Sequence, residues 1–311
     1  MPRAPVESAA GRCAALVALV CACAANNRPL APGEVSADAG FDPADAGLVP
    51  ADGGFSPGRY RVTRTLEVDG VRVEAIIDRP ANDAADALLL YHGTVIYDRL
   101  ALQAAEDTLE QFRAILDRDD LLLVSVAYPE EGLLMGDNVA QAETALLWVR
   151  QHAAEALGVN VGRVFLAGHS QGGYLVTRLN TLHAVDGVIA NAPGPLDMVF
   201  RCRLEEDGRL EPSVQCQDLA QAYGSTTQDE AAYAARSLLS FTAGHRSNIL
   251  FVQGLDDSPV QMRSWPIFRS RMEACVDCRA RNFLELDGRR HPALFESPEA
   301  RRAFNEFLRV R

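Results

Sequence analysis

Between Arg163 and Leu175 the chain reads RVFLAGHSQGGYL, an apolar run that passes through Gly168-His169-Ser170-Gln171-Gly172. A serine with glycines two residues to either side fits a turn too tight for ordinary backbone angles, which lifts its hydroxyl clear of the chain. The pattern alone is weak, since at about 7% per residue type it arises by chance in roughly one chain in ten of this length. A serine hydroxyl is also a poor nucleophile until a base takes its proton and an acid orients that base. The acid is sought after the apolar run NILFVQG, in GLDDSPV, at Asp257, with Asp256 as its adjacent rival. The base is sought in ELDGRRHPAL, where His291 is the only histidine beyond the final apolar strand. His245 precedes the acid and fits the order Ser–Asp–His badly. His152 and His183 fall on or at the end of helices, and His169 packs beside the turn. A tetrahedral oxyanion needs two preorganised donors. They are expected to be the backbone N–H of Gln171 and that of Thr94, in a loop that Gly93 lets approach closely and His92 fixes by hydrogen bonds.

These residues need elements to hold them. YRVTRTLEV and VRVEAIID alternate on either side of Asp69-Gly70, which predicts a β-hairpin. ALLLYHGT, LLLVSVAYP, RVFLAG, DGVIANAP, NILFVQG and NFLELDG read as strands, most of them continuous apolar runs buried on both faces. Helices are expected at about 102–116, after a cap at Asp137 or Asn138, over 172–183, around 261–274 and through 297–308. The helix after that cap presents Val139, Ala142, Leu146, Leu147 and Val149 on one face and closes at Gly158. Alternating β and α units imply an α/β fold with a mainly parallel sheet and helices on both faces. The alternation stops over 193–247, which holds a helix-like QDEAAYAARSLLSF. A segment this long after a strand is either a lid over a pocket or a structural excursion.

With YHGT upstream of GHSQGG, and GLDDSPV and His291 downstream, the chain resembles the α/β-hydrolase superfamily from about Tyr60 to its end. The likeness is nearest to the secretory-lipase type. YAARSLLSF followed by NILFVQGLDDSPV also looks like the prolyl-oligopeptidase and dienelactone-hydrolase branch. The resemblance implies Ser170 as nucleophile, Asp257 as acid, His291 as base and no cofactor. Many relatives carry Gly before the histidine, whereas this chain has Arg289-Arg290-His291. The two guanidinium groups either act on the base or on an anionic substrate group, or they face solvent. The segment before the fold is too short for a β-propeller, which sets aside gating of the oligopeptidase kind.

The first 25 residues read as a leader, with Arg3 and Arg12 ahead of the apolar CAALVALVCACAA. That run is too short for a comfortable membrane span. VCAC resembles a bacterial lipobox and would make Cys23 the lipidated first residue; release after cleavage near Ala25, or no export, are the alternatives. Residues 26–57 are rich in Pro, Gly, Ala and Asp without apolar periodicity and are expected to be a disordered linker before a hydrolase domain over 58–311. Their Asp and Gly lack the spacing of a calcium loop.

Four cysteines lie beyond the leader, and proximity favours the pairs Cys202–Cys216 and Cys275–Cys278. Cys275-Val-Asp-Cys278 lacks a thioredoxin setting, and zinc would need two further ligands, so a staple and no metal are expected. The formal charge of −12 argues against nucleic acid or an anionic membrane as partner, leaving a membrane only through a lipid anchor. Every basic residue is Arg, which excludes a Schiff-base lysine, a phosphate-loop lysine and a Ser-Lys dyad. The pattern thus points to a serine hydrolase acting on small-molecule carboxylic esters. A peptidase or amidase, and a non-catalytic binding protein on the same scaffold, are the alternatives, and oligomeric state is left open.

Overall fold

The computed structural model describes residues 58–309, so the leader, Cys23 and the linker expected over 26–57 lie outside the described residues. The hairpin forms where the Asp-Gly pair places it. Strands β1 (Tyr60–Val68) and β2 (Val71–Arg79) pair antiparallel with Val68 opposite Val71. Both turn residues have positive φ, 51° at Asp69 and 81° at Gly70. Such a turn twists with the strands and is open chiefly to Gly, Asn and Asp.

Six further strands follow: β3 (Ala84–Tyr91), β4 (Leu122–Ala127), β5 (Asn160–His169), β6 (Gly187–Asn191), β7 (Ile249–Gly254) and β8 (Arg281–Leu286). The sheet runs β1-β2-β4-β3-β5-β6-β7-β8, with β2 joined antiparallel to β4 and every later pairing parallel. Strand β3 begins at Ala84 and stops at Tyr91, so His92, Gly93 and Thr94 are already loop.

Helices cover both faces. Against one lie α1 (Ala101–Ile115), α8 (Ala293–Glu296) and α9 (Pro298–Arg309); against the other lie α2 (Val139–Leu157), α3 (Gln171–Leu182) and α7 (Pro259–Glu273). In β3, Leu88 and Leu90 enter the first core while Ala87, Leu89 and Tyr91 enter the second, all with no exposed surface. Burial on both faces is why this strand is apolar throughout, each such leucine contributing about 1.5–3 kcal/mol. Asn138 occupies the N-cap position of α2, but its amide donates to the Pro129 carbonyl instead of capping the helix. Gly158 closes α2 at φ 64°.

Residues 193–247 form three short helices, α4 (Met198–Glu206), α5 (Val214–Tyr223) and α6 (Glu230–Ala234), each capped by the side chain before it. They share a small core of Met198, Cys202, Cys216, Leu219 and Tyr233, with Cys202 and Cys216 joined as a disulfide. The helix expected through QDEAAYAARSLLSF breaks after α6. Ser237 Oγ turns to the Met198 N–H, and the amides of Leu238 and Leu239 donate to the carbonyls of Pro195 and Leu196. Those long-range bonds take the place of helical ones. Cys275 and Cys278 form the second disulfide, after α7. Among the described residues no helix is long and apolar enough to cross a membrane.

Candidate active site

Ser170 stands between β5 and α3 at φ 56°, ψ −117°, a conformation costly for any residue with a side chain, by about 1–3 kcal/mol. The surrounding glycines are sterically required. A Cβ at Gly168 would lie 2.2 Å from the Gly172 carbonyl carbon, and one at Gly172 would lie 2.0 Å from the Tyr91 oxygen. The turn is locked by its backbone: Ser170 N–H donates to Asn191 O at 2.9 Å, and Ser170 O accepts from Tyr174 N at 3.0 Å and Gly194 N at 3.1 Å.

Asp257 follows β7, and His291 lies in the loop between β8 and α8. The His291 Nδ1 is 2.7 Å from Asp257 Oδ2. The carboxylate also accepts from Gln253 Nε2 at 3.0 Å and from the Ser258 N–H at 2.6 Å. Burial of Asp257 opposes ionisation, but the hydrogen bond and charge of His291, together with Gln253 and Ser258, outweigh it and hold the carboxyl below the usual range. Its side chain is 4% exposed, while that of His291 is 40% exposed. An ionised, buried acid thus fixes a ring whose other nitrogen, Nε2, has no hydrogen-bond partner among the described residues. Asp256, the rival, is exposed and contributes only its N–H, to Arg289 O at 2.8 Å.

Ser170, Asp257 and His291 line one cavity of about 490 Å³, together with Thr94, Gln171 and residues of 194–198. In this structure Ser170 Oγ makes no hydrogen bond to a described residue. The N–H groups of Thr94 and Gln171 likewise have no acceptor among the described residues. The two are tied together, with Thr94 Oγ1 donating to Gln171 Oε1 at 2.8 Å. Gly93 is not needed for close approach, since a Cβ there would meet Ser170 Cβ at an ordinary 3.5 Å.

Four of the other five histidines are held by hydrogen bonds of their own. His169 accepts from Asn191 Nδ2 at 2.8 Å, and burial, then the nearby His291, push its pKa down to about 3. Its ring lies 4.8 Å from that of His291 and packs beside the turn as expected. His92 donates from Nδ1 to Gly93 O at 2.6 Å and stacks on Tyr128, with burial pushing it down to about 4. His245 is buried and bonded to Phe241 O, and His183 pairs with Glu143. Arg289 and Arg290 lie outside the cavity lining and have no ion-pair partner among the described residues. Their backbone crosses the end of β7, where a Cβ at Gly254 would come within 2.2 Å of Arg290 O.

The segment 193–247 supplies part of the cavity wall, including Met198 and Arg201 of α4 and Gln215 of α5. Arg201 is paired through Nε with Glu205 at 3.0 Å. Sequence reasoning missed Gln253 and Gln261. Gln261 Nε2 donates to Gln253 Oε1 at 3.0 Å and so orients the amide that holds Asp257. The signal was a lone amide in the apolar run of β7. Cys275, Asp277 and Cys278 are the one group among the described residues with metal-ligand proximity, and their sulfurs are joined as the disulfide.

An esterase from Rhizomucor miehei superposes with a TM-score of 0.59 at 16% identity, over 81% of this chain and 82% of that one. Est1E from Butyrivibrio proteoclasticus gives 0.55 at 14% identity, over 79% and 97%. The fold is that of the α/β-hydrolases. An acylaminoacyl peptidase from Pyrococcus horikoshii gives 0.57 at 11% identity, over 81% of this chain but 42% of the peptidase. No protein-family model matches the sequence, and no curated protein matches it.

Proposed function

We propose that this α/β-hydrolase-fold protein is a serine hydrolase that cleaves carboxylic esters through an acyl-enzyme intermediate. The observation that carries the reading is the 2.7 Å bond from His291 to the buried Asp257, in the same cavity as a serine at positive φ. Neutral His291 takes the Ser170 proton at Nε2 as Oγ bonds to the ester carbonyl carbon. The carbonyl oxygen gains the electron pair and is received by the Thr94 and Gln171 N–H groups, each such donor being worth about 2.7–4 kcal/mol. Asp257 stabilises the imidazolium, which returns its proton to the leaving alkoxide as the carbon–oxygen bond breaks. Water then attacks the acyl group with the same base, releasing the acid and restoring Ser170.

A cavity of about 490 Å³ with polar groups on its wall suits a small soluble ester. Purified protein should hydrolyse a short-chain p-nitrophenyl ester, and Ser170→Ala should abolish turnover, by about 10⁵-fold or more. Near-full activity in that variant overturns the mechanism. The likeness to an acylaminoacyl peptidase favours amide cleavage as the second reading. Peptide hydrolysis without ester hydrolysis would decide for it. We further propose export, with Cys23 as the lipid-bearing residue, because two disulfides fit an oxidising compartment. The mass of the mature N-terminal peptide tests this.

A further inference from the structure

We infer that Glu130 is a positioning residue for the oxyanion loop, holding the backbone that presents the Thr94 N–H. The inference rests on the roles proposed above for Ser170, Thr94 and Gln171. Between the end of β3 at Tyr91 and the 3-10 turn at Asp98–Leu100 the chain has no regular structure, so nothing in its own backbone fixes the Thr94 amide. A preorganised donor on such a loop needs outside support.

That support comes from residues 128–131, just after β4. Tyr128 donates its hydroxyl to His92 O and stacks on the His92 ring at 3.9 Å. The N–H groups of Glu130 and Glu131 donate to Asp98 Oδ1 at 2.8 and 2.9 Å, and the Asp98 N–H returns to Glu131 Oε2 at 3.3 Å. Those bonds hold the two ends of the loop. Around Thr94 itself, His92 Nδ1 holds Gly93 O at 2.6 Å and Thr94 Oγ1 holds Gln171 Oε1 at 2.8 Å, and the bond that residues 128–131 add there runs from the Val95 N–H to Glu130 Oε1 at 3.0 Å.

The charge state of Glu130 suits this place. Burial raises its pKa, the Val95 N–H and the Gln171 side chain oppose that, and Asp98 adds to it, leaving the group at about 8. It faces a second cavity of about 310 Å³ that also carries Glu131 and Asp218, and among the described residues no Arg or His lines that wall. Tyr128, from the strand side, is held neutral by burial. At neutral pH the carboxyl is therefore uncharged, one residue along from the Thr94 N–H proposed to receive a negative oxygen. Once ionised it would oppose that charge.

Steady-state kinetics on a short-chain p-nitrophenyl ester test the inference across pH 6–10. Glu130→Ala should lower kcat about tenfold with KM within about twofold, less than the hundredfold or more lost with an oxyanion donor itself. Wild-type kcat should fall above about pH 8. Glu130→Gln keeps an acceptor for Val95, so it should recover most of the alanine loss and remove that fall. An active wild type whose alkaline profile is shared by Glu130→Gln, with undiminished kcat in Glu130→Ala, overturns the inference alone. Should Glu130→Ala not fold, the Glu130→Gln profile decides. A wild type that neither turns over ester nor labels with a fluorophosphonate overturns the functional reading and this inference with it.

Discussion

Ser170 follows directly on β5 and Asp257 lies just past the end of β7, two parallel strands with β6 between them, whereas the Thr94 amide hangs on an irregular loop that a second loop grips. The first arrangement is fixed by backbone. β5, β6 and β7 are hydrogen-bonded in register, and the turn at Ser170 is tied to Asn191 at the end of β6. The second is fixed by side chains reaching over long sequence distances, from Tyr128, Glu130 and Gln171. The placement of the proposed nucleophile and acid is therefore a consequence of the sheet, while the proposed oxyanion side is an addition to it. Changes on the strand side should act on the chemistry outright, and changes on the loop side should tune it.

The largest effect should come from Asp257→Asn, which leaves the shape of the site but removes the charge behind His291. A loss of about 10⁴-fold in kcat is expected, with the fold unchanged by circular dichroism. A loss under tenfold would mean that the sheet-fixed acid does not orient the base.

Acid should next separate the two halves from the rest of the protein. Buried His92, beneath the loop, and His169, beside the turn, stay neutral down to about pH 4 and 3 in the fold, against an ordinary value of 6.5. Their folded pKa values are depressed, so their contribution is complete above about pH 6.5 and is lost as pH falls toward 3, on the order of 3 kcal/mol for His92 and about 5 kcal/mol for His169. Glu130 acts in the opposite sense: its raised value makes stability decline from its ordinary 4.5 up to about 8. Urea unfolding across pH should show the acid loss in the wild type and a shallower slope in His92→Gln. Identical slopes would contradict the burial of a neutral ring there.

Gly172→Ala joins the halves, because its new Cβ would press on Tyr91 O at 2.0 Å and His92 O at 2.6 Å. A destabilisation of about 3 kcal/mol is expected, at the upper end for overpacking, with displacement of the oxyanion loop. An unchanged melting temperature would show that the loop yields without cost.

The same contrast explains what was legible. Gly168, Ser170 and Gly172 declare a tight turn because only those residue types permit it, and the apolar run before them declares the strand. Asp257 and His291 follow from chain order. The Asp-Gly hairpin and the Gly158 helix end are equally local. Glu130 and Glu131 were not legible, since two acidic residues after a proline look like any solvated loop until Val95 and Asp98 arrive opposite them. The break after α6 depends on carbonyls at Pro195 and Leu196 that no local pattern announces. The four-residue α8 is too short to show a period.

The central claim is that Ser170 is a nucleophile served by His291 and Asp257. Treating folded protein with a fluorophosphonate probe and mapping the adduct by peptide mass spectrometry tests it most directly. One adduct per chain is predicted, on Ser170, with none in Ser170→Ala and strongly slowed labelling in His291→Ala. Folded wild-type protein that stays unlabelled, or labels elsewhere, would contradict it.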